Sequence, residues 1–210
     1  GVHNFSRLEL PLMSDSGGFQ VFSLAQNKRQ AGIRGDERPL VLKITEDGVI
    51  FRSTYDGAKI EFTPERSMAY QQEIGADIMM AFDECTYYPA THQYAEKAME
   101  RTHQWLRRCI KYKNQSASGT HFLSHESLTP IKSSNRGPLE SEKNAFPKAD
   151  LNLYPQYLYG VIQGGTYEDL RKKSAEFVCG QNVAGIAIGG VAVGETKKEI
   201  QEQLIGVAPY

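Results

Sequence analysis

Long apolar runs are missing: no segment of the chain approaches the roughly 20 consecutive apolar residues that a membrane-spanning helix requires. The opening GVHNFSRLEL has neither the charged head nor the apolar centre of a secretory signal. Cysteine is scarce. Its 3 copies, Cys85, Cys109 and Cys179, are too scattered for a disulfide framework, and none lies in a CxxC pair. Together these absences predict a cytoplasmic protein in a reducing compartment, without a membrane partner. An excess of one charge is missing as well: 24 Lys and Arg stand against 25 Asp and Glu. Nucleic-acid binding therefore needs a local patch or a part of the protein outside this segment. The start lacks a methionine and the helical pattern Thr196 to Val207 runs at once into Ala-Pro-Tyr, which reads as an internal fragment.

What is present suffices for one globular domain with a core, since 40% of 210 residues are hydrophobic. Leu10 to Met13 reads as a short apolar strand, and the run SDSGGFQVFSL, Ser14 to Leu24, follows it. Lys28 to Arg38 is polar and basic. Val41 to Thr45, Val49 to Ser53 and Lys59 to Phe62 are β-rich, separated by turn signals at Asp47-Gly48 and Asp56-Gly57, and predict a small antiparallel flap. Pro64 opens a helix capped by Thr63 and running to about Ile74 before Gly75. Ala76 to Phe82, apolar throughout, predicts a strand buried on both faces of a parallel sheet.

From Thr91 a helix carries Ala95, Ala98, Met99, Thr102, Trp105, Leu106, Cys109 and Ile110 as one stripe, with Lys97, Arg101, Arg107, Arg108 and Lys111 opposite. Residues 114–155 are rich in Ser, Asn, Pro and Lys without a period, and predict a low-complexity surface insertion. Order resumes with a strand Tyr157 to Gln163, a helix from about Glu168 to Val178, a strand Gly185 to Ile188 and a helix from about Thr196. The alternation implies right-handed βαβ units. Motifs follow four strands in turn: DSGGF, FDEC, QGG and GGVAVGE. Chemistry at many strand ends favours a (β/α)8 barrel over a Rossmann sheet, and the fold class expected is α/β, about half of a TIM barrel with a small antiparallel insertion.

Asp15 stands where the first strand ends, and reads either as a functional acid or as a plain turn cap. Asp83, at the mouth of an apolar strand, must be solvated, paired or functional. Gln163 ends the third strand beside Gly164-Gly165, while Gly189-Gly190 offers open backbone N–H groups or simply a tight turn. Phe19 is either core or a stacking face. As one site, a carboxylate accepts paired donors, a glutamine and a backbone N–H meet a carbonyl, and a ring covers the flat face. Guanine has the matching edges.

The segments SDSGGFQVFSL, KITEDGVIFRSTYDG, FTPERSMAYQQEIGADIMMAFDEC, YPATHQYAEKAMERTHQWLRRC, YGVIQGGTYEDLRKKSAEF and GIAIGGVAVGE resemble the tRNA-guanine transglycosylases, most closely the bacterial queuosine type. The resemblance covers nearly all of the chain outside 114–155. It implies a pentosyltransferase that exchanges guanine at the wobble position of the tRNA anticodon loop for 7-aminomethyl-7-deazaguanine, through a covalent ribosyl intermediate. It implies that Asp15 is the acid-base residue and that Asp15, Ser16, Gly17, Gly18 and Phe19 line the base pocket. Asp83 then binds the base's N1 and amine edge, Gln163 and Gly190 the O6 and N7 side, and Val191 and Glu195 the aminomethyl group, with Cys85 beside the pocket.

The same resemblance implies a homodimer and a zinc ion. The zinc ligands and the nucleophilic aspartate of the family match no residue up to Tyr210, so no metal site is expected in this segment; His121 and His125 have helical spacing but no cysteine partners. The 114–155 stretch departs from the family pattern, and Lys132, Arg136, Lys143 and Lys148 give it a basic character suited to a solvated spacer or a tRNA contact. The competing readings are a non-catalytic accessory or truncated homologue and an archaeosine-type transglycosylase; the intact pocket set speaks against an accessory chain, and GGF and FDEC against the archaeal type.

Overall fold

The computed structural model describes residues 1–18, 41–53, 57–117 and 155–210. Phe19, the basic stretch Lys28 to Arg38, Asp56, His121, His125, Lys132, Arg136, Lys143 and Lys148 lie outside the described residues. In chain order the elements are α1 (Val2–Ser6), β1 (Met13–Ser14), β2 (Val41–Ile44), β3 (Val49–Arg52), β4 (Lys59–Phe62), α2 (Pro64–Ile74), β5 (Ile78–Met80), α3 (His92–Ala117), β6 (Tyr157–Ile162), α4 (Glu168–Cys179), β7 (Gly185–Ile188) and α5 (Lys197–Val207). Two sheets form: a parallel 4-stranded sheet in the order β1-β5-β6-β7 and an antiparallel 3-stranded sheet β2-β3-β4.

Local chemistry accounts for the ends of these elements. Thr63 caps α2 by accepting the Arg66 N–H, Pro64 fills the first helical position where no N–H is needed, and Gly75 ends the helix in the left-handed region at φ 71°. Thr196 and Glu199 form a reciprocal capping box at the start of α5. Helix α1, among residues to which the sequence pattern assigned no element, is a single short turn with no buried residues.

Three elements differ from expectation by more than one residue at an end. Strand β1 begins at Met13, because Pro11 has no N–H to give a ladder. Pairing starts instead where the Leu12 N–H donates to Asp77 Oδ2 at 2.7 Å and the Leu12 carbonyl accepts from Ile78. Helix α3 continues through Asn114 to Ala117, four residues into the expected insertion, because buried Tyr112 extends the stripe of Trp105 and Cys109. Strand β5 spans Ile78–Met80 rather than Ala76 to Phe82, and only one of its faces is closed: Met79 is buried, while Ile78 and Met80 are partly exposed.

That one-sidedness extends to the amino-terminal ends of β1 and β6. Leu158, Gly160 and Ile162 of β6 face the helices; a side-chain carbon on Gly160 would lie 2.7 Å from Val178 of α4 and 3.3 Å from Leu106 of α3. Gln71 of α2 ties this helix to β5 from the same side, accepting from the Met80 N–H at 2.8 Å and donating to the Met80 carbonyl at 2.9 Å. On the opposite face Met13 and Tyr157 are 55% and 50% exposed, and no described element covers them. The antiparallel sheet packs against α3 through Trp105, whose ring stacks on Phe82 at 4.7 Å and whose Nε1–H donates to the Glu46 carbonyl. Substituting Gly160→Val forces two methyl groups into the seam between β6, α3 and α4. The expected loss is about 1–3 kcal/mol of unfolding free energy, read as an earlier urea midpoint with an unchanged slope.

Candidate functional site

Because the four strands are parallel, their carboxyl ends share one rim, and the loops that follow them meet there. Asp83 lies three residues beyond β5 and Gln163 directly beyond β6. Their side chains touch: Gln163 Nε2 donates to Asp83 Oδ2 at 2.6 Å. Ser16, two residues beyond β1, reaches the other carboxylate oxygen at 3.5 Å and accepts the Gly18 N–H at 3.1 Å. The turn expected at Asp15 is thus capped by Ser16, while Asp15 itself is exposed on the rim, with its charge felt at Asp83.

The glycines of the two motifs leave room for these polar groups. A side-chain carbon on Gly18 would sit 2.5 Å from Asp83 Oδ1, and one on Gly190 2.5 Å from Gln163 Oε1. Gly190 also adopts φ +62°, in the left-handed region that favours glycine. Gln163 is fully buried, and its Oε1 has no hydrogen-bond partner among the described residues. A buried, unpaired acceptor of this kind costs roughly 1–3 kcal/mol until a ligand or water supplies a donor.

Farther along the rim, Glu195 folds back on its own loop. Its two carboxylate oxygens accept the N–H groups of Ala192 at 2.6 Å and Val193 at 2.8 Å, and Ala192 is held at φ 61°. Val191 is partly buried beside them. Thr86, Tyr88, Gly165, Tyr167, Gly190 and Val193 line a cleft among the loops after β5, β6 and β7. Cys85 borders the site as a neutral thiol, pushed up to about 12 by burial and by the Asp83 charge.

Behind the rim stand residues that the motifs did not single out. Arg171 of α4 is fully buried and donates to the carbonyls of Ile162, Gly165, Gly189 and Gly190 and to Gln203 Oε1. Burial pushes its guanidinium down to about 10. Ser174, one turn on, accepts the Gln163 backbone N–H at 3.1 Å and meets His103 Nε2 at 3.0 Å. His103 is neutral near pH 7, pushed down to about 4 chiefly by burial, so the consistent arrangement has the serine hydroxyl donating to the imidazole. A signal for Arg171 exists in the sequence: it falls on the α4 stripe of Leu170, Ser174, Ala175 and Val178, where a charge is out of place. Among the described residues no group of three or more His, Cys, Asp or Glu side chains converges to hold a metal ion.

Asp83 carries the main electrostatic cost of the site. Burial pushes its carboxyl up to about 6, and the Asp15 charge adds to this against the opposing hydrogen bonds from Gln163 and Ser16. A carboxyl whose pKa is higher folded than unfolded binds its proton more tightly in the folded state, so stability falls as pH rises from about 4 to about 6 and levels off above. The isosteric neutral variant Asp83→Asn is therefore expected to gain on the original across that window, by roughly 3 kcal/mol at pH 7. Urea denaturation at several pH values checks this, and parallel curves for the two proteins refute it.

The family model described as queuine tRNA-ribosyltransferase matches residues 1–210. A queuine tRNA-ribosyltransferase of Herpetosiphon aurantiacus is 40% identical over 209 residues, covering 100% of this chain and 40% of the relative. Relatives of the same name from Synechococcus elongatus and Ruminiclostridium cellulolyticum are each 39% identical over 209 residues, with 41% and 42% of their own lengths covered. The chain thus spans about 40% of the length of the relatives it matches.

Proposed function

The chain belongs to the queuine tRNA-ribosyltransferase family, and from that premise we propose that the protein is a tRNA-guanine transglycosylase, exchanging guanine at the wobble position of tRNA for 7-aminomethyl-7-deazaguanine. The observation that carries the reading is the Asp83–Gln163 contact at 2.6 Å, backed by Gly190. It places a carboxylate, an amide and an open stretch of backbone at three adjacent strand ends, the set that a guanine edge requires. Before the base arrives, the Gln163 amide N–H occupies one oxygen of the Asp83 carboxylate. The incoming N1–H and amine take over the carboxylate, and the amide is released toward O6.

In this reading Gly190 N–H serves the O6 and N7 side, Val191 and Glu195 receive the aminomethyl group, and Phe19 with Ser16, Gly17 and Gly18 walls the pocket. Asp15, exposed on the rim, moves the proton of the departing or entering purine. A carboxylate outside this chain attacks the anomeric carbon, and the second base displaces it, so that two displacements retain configuration. The zinc ion of the family is assigned to residues outside this chain, and no step here passes through it. The tRNA anticodon loop as substrate, a homodimer and a cytoplasmic location complete the proposal; no helix among the described residues is long and apolar enough to cross a membrane.

The same reading makes the parallel sheet part of a (β/α)8 barrel. Its strands pair in chain order and the helices α2, α3 and α4 lie on one face, as winding around a barrel produces. A Rossmann sheet instead reverses strand order and is covered on both faces.

The full-length protein is expected to incorporate labelled guanine into tRNA; a soluble preparation that incorporates none sinks the reading. Asp83→Ala should weaken guanine binding by about 1–3 kcal/mol by leaving ligand donors unpaired. Because binding uses the ionised carboxylate, guanine affinity in the original protein should fall by up to about tenfold per unit as pH drops below about 6. Calorimetric titration across that range measures the slope.

A further inference from the structure

Helix α4 places a fully buried arginine directly behind the site, with no carboxylate hydrogen-bonded to it among the described residues. An isolated buried cation is costly, and burial lowers the Arg171 guanidinium from its usual range. Simple packing would be better served by an apolar side chain, so the charge requires another explanation. Its partners supply one. Arg171 Nη1 donates to the Gly189 carbonyl at 2.6 Å, and Nη2 donates to the Gly190 carbonyl at 3.0 Å.

In a trans peptide the C=O and N–H point in opposite directions. The peptide whose carbonyl belongs to Gly189 carries the N–H of Gly190, and the peptide whose carbonyl belongs to Gly190 carries the N–H of Val191. A guanidinium that holds both carbonyls from behind therefore turns both N–H groups outward. The Gly190 amide does reach the other side, where it lies against the Cys85 thiol at the site. Gly190 itself sits in the left-handed region at φ +62°, which glycine adopts without strain, so the turn that presents these donors is one the residue tolerates.

We propose that Arg171 is a positioning residue which sets and polarises the Gly190 and Val191 N–H donors, and thereby fixes recognition of the 6-oxygen of guanine. This rests on the base-recognition reading above. Further bonds to the Ile162 and Gly165 carbonyls bracket Gln163 with the same side chain, so one guanidinium registers both donor walls. A lysine cannot replace it, because a single ammonium group does not span acceptors that the planar fork reaches together.

The test uses the full-length protein and two free bases: guanine, and 2-aminopurine, which lacks the 6-oxygen and with it the N1 proton, so that the comparison rests on how each affinity changes with the substitution. The original protein should prefer guanine. In Arg171→Lys, guanine affinity should fall at least about tenfold while 2-aminopurine affinity changes less than about twofold, with KM for tRNA unaltered. An equal loss for both bases, or unchanged guanine affinity in the folded variant, overturns the proposal. If Arg171→Lys does not fold, Gln203→Leu, which removes one partner and lets the guanidinium turn, is measured in the same way. A loss confined to guanine is again expected, and an unchanged or equal response overturns the role. An original protein that binds guanine no better than 2-aminopurine refutes the base-recognition reading itself, whereas a clear preference retained in the variants removes only Arg171.

Discussion

Everything at the site depends on parallel pairing in chain order. A parallel ladder aligns strand directions, and consecutive pairing brings the loop after each strand beside the loop after the next. Residues 67 and 80 positions apart in sequence, Ser16 and Gln163 relative to Asp83, reach the same carboxylate as a result. The loops carrying Ser16 and Gln163 are braced from outside. Their order comes from the helix layer behind them, where Ser174 fixes the Gln163 backbone and Ser67 donates to the Ser16 carbonyl at 2.6 Å.

Much of this was legible in the residues themselves. Lys59 to Phe62, Pro64 to Ile74 and Gly185 to Ile188 form the expected elements because their ends carry strong local signals: a proline after Thr63, a glycine in the left-handed region after Ile74, glycines beyond Ile188. The α3 stripe was equally readable, since its apolar positions at helical spacing are buried, with only Ile110 partly exposed. Asp83 and Gln163 could be singled out because each interrupts an apolar run at its end.

Other features depended on contacts that no local pattern encodes. The direct Asp83–Gln163 bond follows from how two strands register against each other, and the sequence alone suggested opposite edges of a ligand for the two groups. The exposed face of β5 could not be separated from a buried one, because Ile78, Met79 and Met80 are all apolar and the difference lies in what covers them. Arg171 does not stand out by composition among the neighbouring Lys172 and Lys173, both solvent-exposed, although it alone falls on the buried stripe. Polar residues inside a helix stripe report a demand made by another part of the molecule.

That placement carries a consequence for how such a sequence can change over time. Replacing Arg171 would remove the side-chain donor from the carbonyls of Gly165, Gly189 and Gly190, which belong to the loops after two adjacent strands. A side chain on Gly190 would in turn displace Gln163. Positions 163, 171 and 190 are therefore coupled: a substitution at one is accommodated only together with a compensating change at the others.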